Sequence, residues 1–268
     1  IFIYLAVIYL FTYLYFRNTE FELPDGRTFI IDFFLLGVIF VGVFLVSLSI
    51  YLYGLYLKTS QKNKKIEAYK KTKYYLDTNF DFDKVNTNSG LQFEFLVYNE
   101  LALNFPNSRL LTNILIPKKN SINDYSEIDI IFLHTTGFYV LELKNYNAFI
   151  YGNLTDERWT AGYKNEERRT PMEFQNPLLQ NKKHIEVLQE HINEDFINQV
   201  IFSDNAVVDS SIESVTTLNT FIEKVKASEN IYNVHELDEL SNKIKKINVY
   251  DKIQNHIERI KYNKIKHK

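Results

Sequence analysis

The sequence predicts a mixed α/β domain that follows two membrane-spanning helices. The first 57 residues are almost uncharged, residues 58–75 are rich in lysine, and residues 76–268 mix apolar and charged positions as soluble domains do. In the third part, apolar residues recur first at helical and then at strand spacing. We therefore expect a transmembrane hairpin at 1–57, a basic linker at 58–88 and a folded domain at 89–268 whose C-terminal part is helical.

Two apolar runs predict the transmembrane hairpin. Ile1–Phe16 contains no charge, and Ile30–Leu57 contains only Asp32. As a helix, the second run would reach about 42 Å, which exceeds a hydrocarbon core of roughly 30 Å. The first run is shorter, and because the chain begins with isoleucine we expect its start to lie upstream. A cleaved signal peptide and a buried core hairpin are the alternatives.

Seven lysines that follow the second run predict the orientation in the membrane. They are opposed only by Glu67, and they are Lys58, Lys62, Lys64, Lys65, Lys70, Lys71 and Lys73. The positive-inside rule then places the chain from residue 58 onward in the cytoplasm. Anionic lipid headgroups are a further expected partner of these lysines, and nucleic acid is the alternative. We therefore expect a two-pass membrane protein with a cytoplasmic C-terminal domain.

Composition excludes several kinds of site. The chain has no cysteine, which excludes disulfide scaffolds, thiolate metal clusters and cysteine nucleophiles. Its six histidines have no paired spacing, which disfavours zinc. Residues 1–57 carry a net charge of −2, residues 58–75 carry +6 and residues 76–268 carry −6. A nucleic acid would therefore need a local site, helped by the lysines or by the basic residues from Arg259 onward.

The soluble domain begins with a predicted helix and continues with strands. Gly90–Leu103 has apolar residues at helical spacing and ends near Pro106. Leu110–Ile116, Glu127–Leu133 and Phe138–Leu143 are predicted strands. Further strands are predicted at 148–151, around Trp159 and at 199–202, and further helices at 176–191, 217–226 and 234–260. This order of elements predicts a mixed sheet flanked by helices.

The segment Ser126–Asn145 carries the most chemical information. It reads as a hairpin in which polar residues alternate with apolar ones on both strands. If its two threonines form the turn, Asp129 pairs directly with Glu142. If the turn moves by one residue, Asp129 pairs with Lys144. In both cases the polar side chains share one face.

Two carboxylates directly across a hairpin have Cβ atoms about 5 Å apart and normally repel each other. A hard divalent cation relieves this repulsion, because Mg²⁺ binds one or two carboxylates and keeps its waters for a phosphate oxygen and a nucleophile. Lys144 would then orient a water molecule or offset charge on the phosphate. The same pattern also fits a solvent-exposed edge, whose ion pairs are worth about 0–1 kcal/mol.

Several short motifs follow one another in order between Gly90 and His191. They are GLQFE at 90–94, EID at 127–129, GFYVLELKN at 137–145, Gly152, Trp159, and NPLLQ at 176–180 with His184. This set resembles the nuclease-related domain, NERD, which is similar to the PD-(D/E)xK nucleases. The resemblance implies a restriction-endonuclease-like fold and Mg²⁺- or Mn²⁺-dependent hydrolysis of DNA. Ile128 stands where the broader motif has proline.

The resemblance implies five catalytic residues. Asp129 would be the central metal ligand and Glu142 the second. Lys144 would be the motif lysine, Glu94 the acid of the first helix, and Gln180 the helix glutamine that lines the site.

Some of these residues have simpler alternative roles. Glu94 could be a solvated helix residue, and Asn176, Gln180 and His184 could be helix caps or surface groups. Trp159 is expected to pack in the core rather than to stack on a base.

Two functions therefore stay open. The first is a membrane-anchored, divalent-metal-dependent nuclease that hydrolyses phosphodiester bonds of nucleic acid, with DNA as the expected substrate. The second is a catalytically inactive module that holds nucleic acid or a protein at the membrane. A membrane protein with purely structural helices is the third and weakest hypothesis.

Overall fold

The structure is a computed structural model that describes residues 20–22, 24, 28–30, 33–119, 124–162, 170–208, 211–251 and 253. The chain divides into two compact units, Ile1–Ala68 and Tyr69–Lys268. The predicted first span, Ile1–Phe16, lies outside the described residues, as do the basic residues from Arg259 onward.

The N-terminal unit contains a short hairpin and most of a long helix. Strand β1 (Glu20–Glu22) pairs antiparallel with β2 (Thr28–Ile30), where the sequence predicted a loop. Helix α1 (Phe33–Tyr69) follows. Within the described residues, the segment Ile39–Tyr69 is the one helix long and apolar enough to cross a membrane. One such helix is therefore found, and the two-pass topology stays a prediction.

The described part of the C-terminal unit contains six further helices and ten strands. The helices are α2 (Lys73–Thr78), α3 (Phe82–Thr87), α4 (Ser89–Asn104), α5 (Pro177–Gln189), α6 (Leu218–Ala227) and α7 (Val234–Ile247). The strands are β3 (Arg109–Leu111), β4 (Ile114–Pro117), β5 (Tyr125–Ile128), β6 (Ile130–His134), β7 (Gly137–Lys144), β8 (Phe149–Tyr151), β9 (Arg158–Gly162), β10 (Met172–Gln175), β11 (Ile197–Phe202) and β12 (Val215–Thr217). Strands β10 and β12 and helices α2 and α3 were not expected from the sequence.

Helices α2 and α3 lie in the segment 58–88, which the sequence analysis treated as a basic linker. Tyr74 of α2 is fully buried and Val85 of α3 is 4% exposed, and both belong to the same apolar cluster as the inner face of α4. The core of the C-terminal unit thus includes residues that precede 89.

A five-stranded mixed sheet with the order β12-β11-β7-β6-β3 forms the centre of this unit. Strands β11 and β12 run parallel to β7, whereas β6 and β3 run antiparallel to their neighbours. Helices α4 and α6 cover one face of the sheet, and α5 and α7 cover the other. Because both faces are covered, β6 and β7 are apolar along most of their length, and a polar side chain on them is buried.

A three-stranded antiparallel sheet, β10-β9-β8, packs around Trp159. Trp159 is 2% exposed, and its indole Nε1 donates to the carbonyl oxygen of Asn153 at 2.9 Å. Gly152 permits this packing, since a Cβ at that position would lie 2.3 Å from the indole ring. The prediction that Trp159 packs in the core is therefore confirmed.

Candidate active site

The β6–β7 hairpin has the register of the first sequence alternative. Its turn is Thr135–Thr136, because His134 pairs with Gly137 and the ladder continues to Ile130 opposite Leu141. Continued by one position, this register would pair Asp129 with Glu142 rather than with Lys144. Since β7 is an inner strand of the sheet, the alternative of a solvent-exposed edge is wrong for this hairpin.

Asp129 lies at a break between β5 and β6. Its carboxylate Oδ2 accepts the backbone N–H of Leu143 at 2.9 Å, a group that the strand ladder would otherwise have to satisfy. The break also ends the strict alternation of side chains. Ile128 packs in the cluster of Ile131, on the face of the sheet opposite to Ile130. The kink therefore presents the Asp129 carboxylate to the end of β7.

Glu142 and Lys144 lie two residues apart on β7, on the face that α5 covers. The Lys144 Nζ donates to Glu142 Oε1 at 2.6 Å and to Gln180 Oε1 at 3.2 Å. The Glu142 side chain is 4% exposed and that of Lys144 is 19% exposed. Gln180 comes from the first turns of α5, so the sheet and the helix together position the lysine.

His184 follows Gln180 by one helical turn and contacts the same carboxylate. Its Nε2 lies 3.7 Å from Glu142 Oε2, and its Nδ1 lies 2.6 Å from the hydroxyl oxygen of buried Ser126. A serine hydroxyl that donates to Nδ1 leaves the ring proton on Nε2, directed toward Glu142. Burial, followed by the charge of Lys144, lowers the pKa of His184 and favours this neutral ring.

Glu94 on α4 adds a third acid to the cluster. Its Oε1 accepts hydrogen bonds from the hydroxyls of Thr112 and Tyr74. Burial raises the pKa of Glu94 to about 7, and the charges of Asp129 and Glu127 act in the same direction. The alternative of a solvated helix residue is therefore wrong for Glu94.

In addition to burial, the charge of Asp129 disfavours the ionisation of both Glu94 and Glu142. Burial raises the pKa of Asp129, and burial together with the charge of Asp129 raises the pKa of Glu142. Lys144 offsets only part of this effect for Asp129 and Glu142, so two buried carboxyl groups share one lysine. Such an environment favours the binding of a cation.

The donor set fits a hard divalent cation. Asp129 and Glu142 supply carboxylate oxygens, which are the ligands that Mg²⁺ and Mn²⁺ prefer. Among the described residues, no group of three His, Asp or Glu side chains is arranged to hold a metal ion alone. Mg²⁺ usually binds one or two carboxylates of a protein, and water and substrate fill its other coordination positions.

Comparison with known proteins gives one family and one relative. The family model of the nuclease-related domain, NERD, matches residues 89–218. All five residues proposed from the sequence lie within the residues that this family model matches. A 66-residue segment is 42% identical to an uncharacterized protein of Bacillus anthracis, and it covers 25% of this chain and 29% of that protein. No solved structure matches the chain significantly.

The structure brings Asp129, Glu142, Lys144 and Gln180 together at the end of β7, and Glu94 lies near Asp129. It also adds other residues. Ser126, Thr112 and Tyr74 were not proposed, although each donates to or contacts a residue of the cluster. His184 belongs to one of the sequence motifs, but the role expected for it was that of a helix cap or a surface group. Its spacing of four residues from Gln180 places both on one helix face, and this signal was available in the sequence.

Proposed function

We propose that this protein is a membrane-anchored, divalent-metal-dependent nuclease that hydrolyses phosphodiester bonds in nucleic acid, with DNA as the substrate. The observation that carries the proposal is the meeting of Asp129, Glu142, Lys144 and Gln180 at the end of β7. The match of residues 89–218 to the nuclease-related domain supports the same reaction class. The arrangement resembles a PD-(D/E)xK centre.

Asp129 and Glu142 would hold the metal ion, Mg²⁺ or Mn²⁺. When bound, this ion supplies a Lewis acid for the phosphate and lowers the pKa of water. The backbone N–H of Leu143 holds the Asp129 carboxylate in place. His184 lies 3.7 Å from the second oxygen of Glu142, and Lys144 donates to the first.

Lys144 provides the positive charge of the centre. Its ammonium group is held by Glu142 and by Gln180, so it keeps one orientation. In this position it can orient the attacking water and stabilise the negative charge that develops on the phosphate. The Gln180 side-chain amide nitrogen can donate a hydrogen bond to a phosphate oxygen.

The membrane anchor is the second part of the proposal. Helix α1 has the length and composition of a membrane span, and lysines follow its apolar part. By the positive-inside rule, the nuclease-related domain would face the cytoplasm, and the lysines would contact anionic lipid headgroups.

A cleavage assay on the full chain in detergent micelles tests the proposal. We expect Mg²⁺ or Mn²⁺ to support cleavage of labelled single-stranded or double-stranded DNA, and EDTA to stop it. We expect Asp129→Asn to abolish cleavage, whereas Asp195→Asn, an exposed acid outside the cluster, should retain it. Absence of product from the wild-type chain with every metal and nucleic acid would contradict the nuclease proposal.

A catalytically inactive module that binds nucleic acid or a protein at the membrane is the second candidate. The net charge of −6 on residues 76–268 favours it, because most nucleic-acid enzymes use basic surfaces. In this case the wild-type chain would bind its partner without product, and Asp129→Asn would leave the affinity unchanged.

Ser126→Ala is expected to lower the apparent affinity of the centre for Mg²⁺. Without the serine hydroxyl, His184 loses the hydrogen bond that orients it toward Glu142. Groups that orient metal ligands are worth about 10- to 100-fold in metal affinity or activity. Titration of the cleavage rate with Mg²⁺ should show a half-saturating concentration that is higher by about tenfold.

Ser203→Ala is the matched control, since Ser203 is also buried and its hydroxyl donates to the carbonyl oxygen of Tyr146 at 2.7 Å, outside the cluster. This variant should keep the wild-type Mg²⁺ dependence. If both serine variants shift the Mg²⁺ titration equally, Ser126 has no special role in the centre.

A further inference from the structure

A polar cleft of about 380 Å³ lies between α2, the β3–β4 connection and the segment that follows α7. Its volume is in the range of small-ligand sites. Thr112, Lys73, Lys245 and Tyr250 contribute to its lining. None of these residues belongs to the five that the proposed reaction uses.

The side chain of Asn248 joins two segments that line the cleft. The Asn248 side chain accepts the backbone N–H groups of Leu115 and Tyr250 at 2.9 and 3.1 Å, and donates to the carbonyl oxygen of Asn113 at 3.0 Å. Asn113 itself has a left-handed backbone with φ of 56°. These bonds hold the segment with Tyr250 against the β3–β4 connection.

The cleft adjoins the acids of the candidate active site. Thr112 lines it and donates its hydroxyl to Glu94. Burial, followed by the charges of Glu127 and Glu94, raises the pKa of Tyr250, which is a further sign that the phenol lies near these acids. A ligand in the cleft would therefore lie beside the reacting centre.

The groups in the cleft suit the parts of a nucleotide. Lys73 and Lys245 are exposed on two different helices and can bind phosphate. Tyr250 is half-buried and offers a ring on which a base can stack. Asp77 and Asp251 also line the cleft and can accept hydrogen bonds from the amino groups of bases.

Arg109 is excluded as a phosphate ligand because it pairs with Asp238 through two bonds of 2.6 and 3.0 Å.

We propose that this cleft binds the nucleotide adjacent to the phosphodiester that the active site cleaves. Lys73 and Lys245 bind the strand's phosphates, and Tyr250 stacks on the base. The inference rests on the proposed nuclease function, and it names the part of the chain that holds the substrate strand beside the centre.

The test measures binding of a fluorescein-labelled single-stranded DNA oligonucleotide to the full chain in micelles. EDTA is present, so that binding is measured without cleavage. We expect the double variant Lys73→Gln/Lys245→Gln to bind about tenfold more weakly and to lower the slope of log affinity against log salt by about 1.4, since each phosphate contact to a single strand contributes about 0.7. Tyr250→Leu should weaken binding by about tenfold with an unchanged salt slope.

Two control variants and a comparison of melting temperatures show whether weaker binding comes from the cleft rather than from lost charge elsewhere or from misfolding. Lys224→Gln/Lys226→Gln removes the same charge from α6 and should bind like the wild type. Lys73→Arg/Lys245→Arg keeps the charge in the cleft and should retain most of the affinity. Equal melting temperatures of the variants would show that all of them fold.

The outcomes distinguish the cleft from the nuclease proposal. If the wild-type chain binds and cleaves DNA but the lysine and tyrosine variants bind within twofold of it, the cleft proposal is overturned and the nuclease proposal stands. If the wild-type chain neither binds nor cleaves any nucleic acid, both are overturned. Weaker binding by the cleft variants alone supports the cleft.

Discussion

Glu142→Gln is expected to slow metal-dependent cleavage by about 10²- to 10³-fold, as loss of one preorganised charged group in an active site commonly does. Glutamine keeps the size of the side chain and an oxygen that can accept from Lys144, but it removes the negative charge that would bind the metal. Single-turnover cleavage at saturating Mg²⁺ measures this loss.

The same substitution is expected to stabilise the metal-free protein at pH 8. Burial raises the pKa of Glu142, so the folded protein holds a proton that the unfolded chain releases near pH 4.5. This proton's contribution to the free energy of unfolding is therefore fully present below pH 4.5. It is lost as pH rises through the raised pKa of the folded state. Glutamine does not ionise, and we expect it to restore about 1–3 kcal/mol at pH 8.

Urea unfolding in EDTA at pH 5 and pH 8 measures this effect. Glu173→Gln replaces an exposed acid of β10 and should change neither the cleavage rate nor the pH dependence of stability. Burial raises the pKa of Glu94 to about 7, so we expect Glu94→Gln also to stabilise the metal-free protein at pH 8. A Glu142→Gln variant that is inactive and also less stable at pH 8 would contradict the explanation by charge.

Asn176→Ala is expected to lower the free energy of unfolding by about 3 kcal/mol, since it removes a helix cap and leaves buried carbonyl groups without a donor. Asn176 is fully buried at the start of α5. Its Oδ1 accepts from the backbone N–H of Leu178 at 2.9 Å, and its Nδ2 donates to three carbonyl oxygens, those of Asn153, Leu154 and Asp156. One side chain thus joins the helix of the candidate site to the loop that precedes β9.

Asn233→Ala is the matched control, because Asn233 also caps a helix, α7, but is exposed. Its loss should cost about 1 kcal/mol. Urea unfolding of the two variants at one pH compares them. If the two losses are equal, the bonds of Asn176 to the loop contribute nothing to stability, and its role is only that of a cap.

The sequence predicted part of the structure of the β6–β7 hairpin. The sequence left two turns open, and the structure has the two-threonine turn with its ladder from His134–Gly137 to Ile130–Leu141, because a turn determines the pairing of its own strands. The kink at Asp129 was not expected. The kink depends on a side-chain oxygen that accepts a hydrogen bond in place of a backbone carbonyl. The alternation of apolar residues in the sequence gives no sign of such a bond.

The helix of the candidate site was predicted, but its partners were not. The cap at Asn176 followed from a proline at the next position. Which carbonyl groups the Asn176 amide would reach did not follow, because they lie 20 to 23 residues earlier in the chain. Similarly, α2 contributes Tyr74 to the bond with Glu94 across 20 residues, although its segment reads as a basic linker.

Spacing within the chain was enough to predict the mixed α/β domain and an apolar span, since these patterns depend on neighbours a few positions apart. The five candidate residues came from the resemblance to the nuclease-related domain. The contacts that make a site of those residues join distant segments: Ser126 meets His184 across 58 residues, and Lys144 meets Gln180 across 36. Such contacts form only when α5 packs on β7. The folded sheet therefore decides which groups are buried and which pKa values are raised.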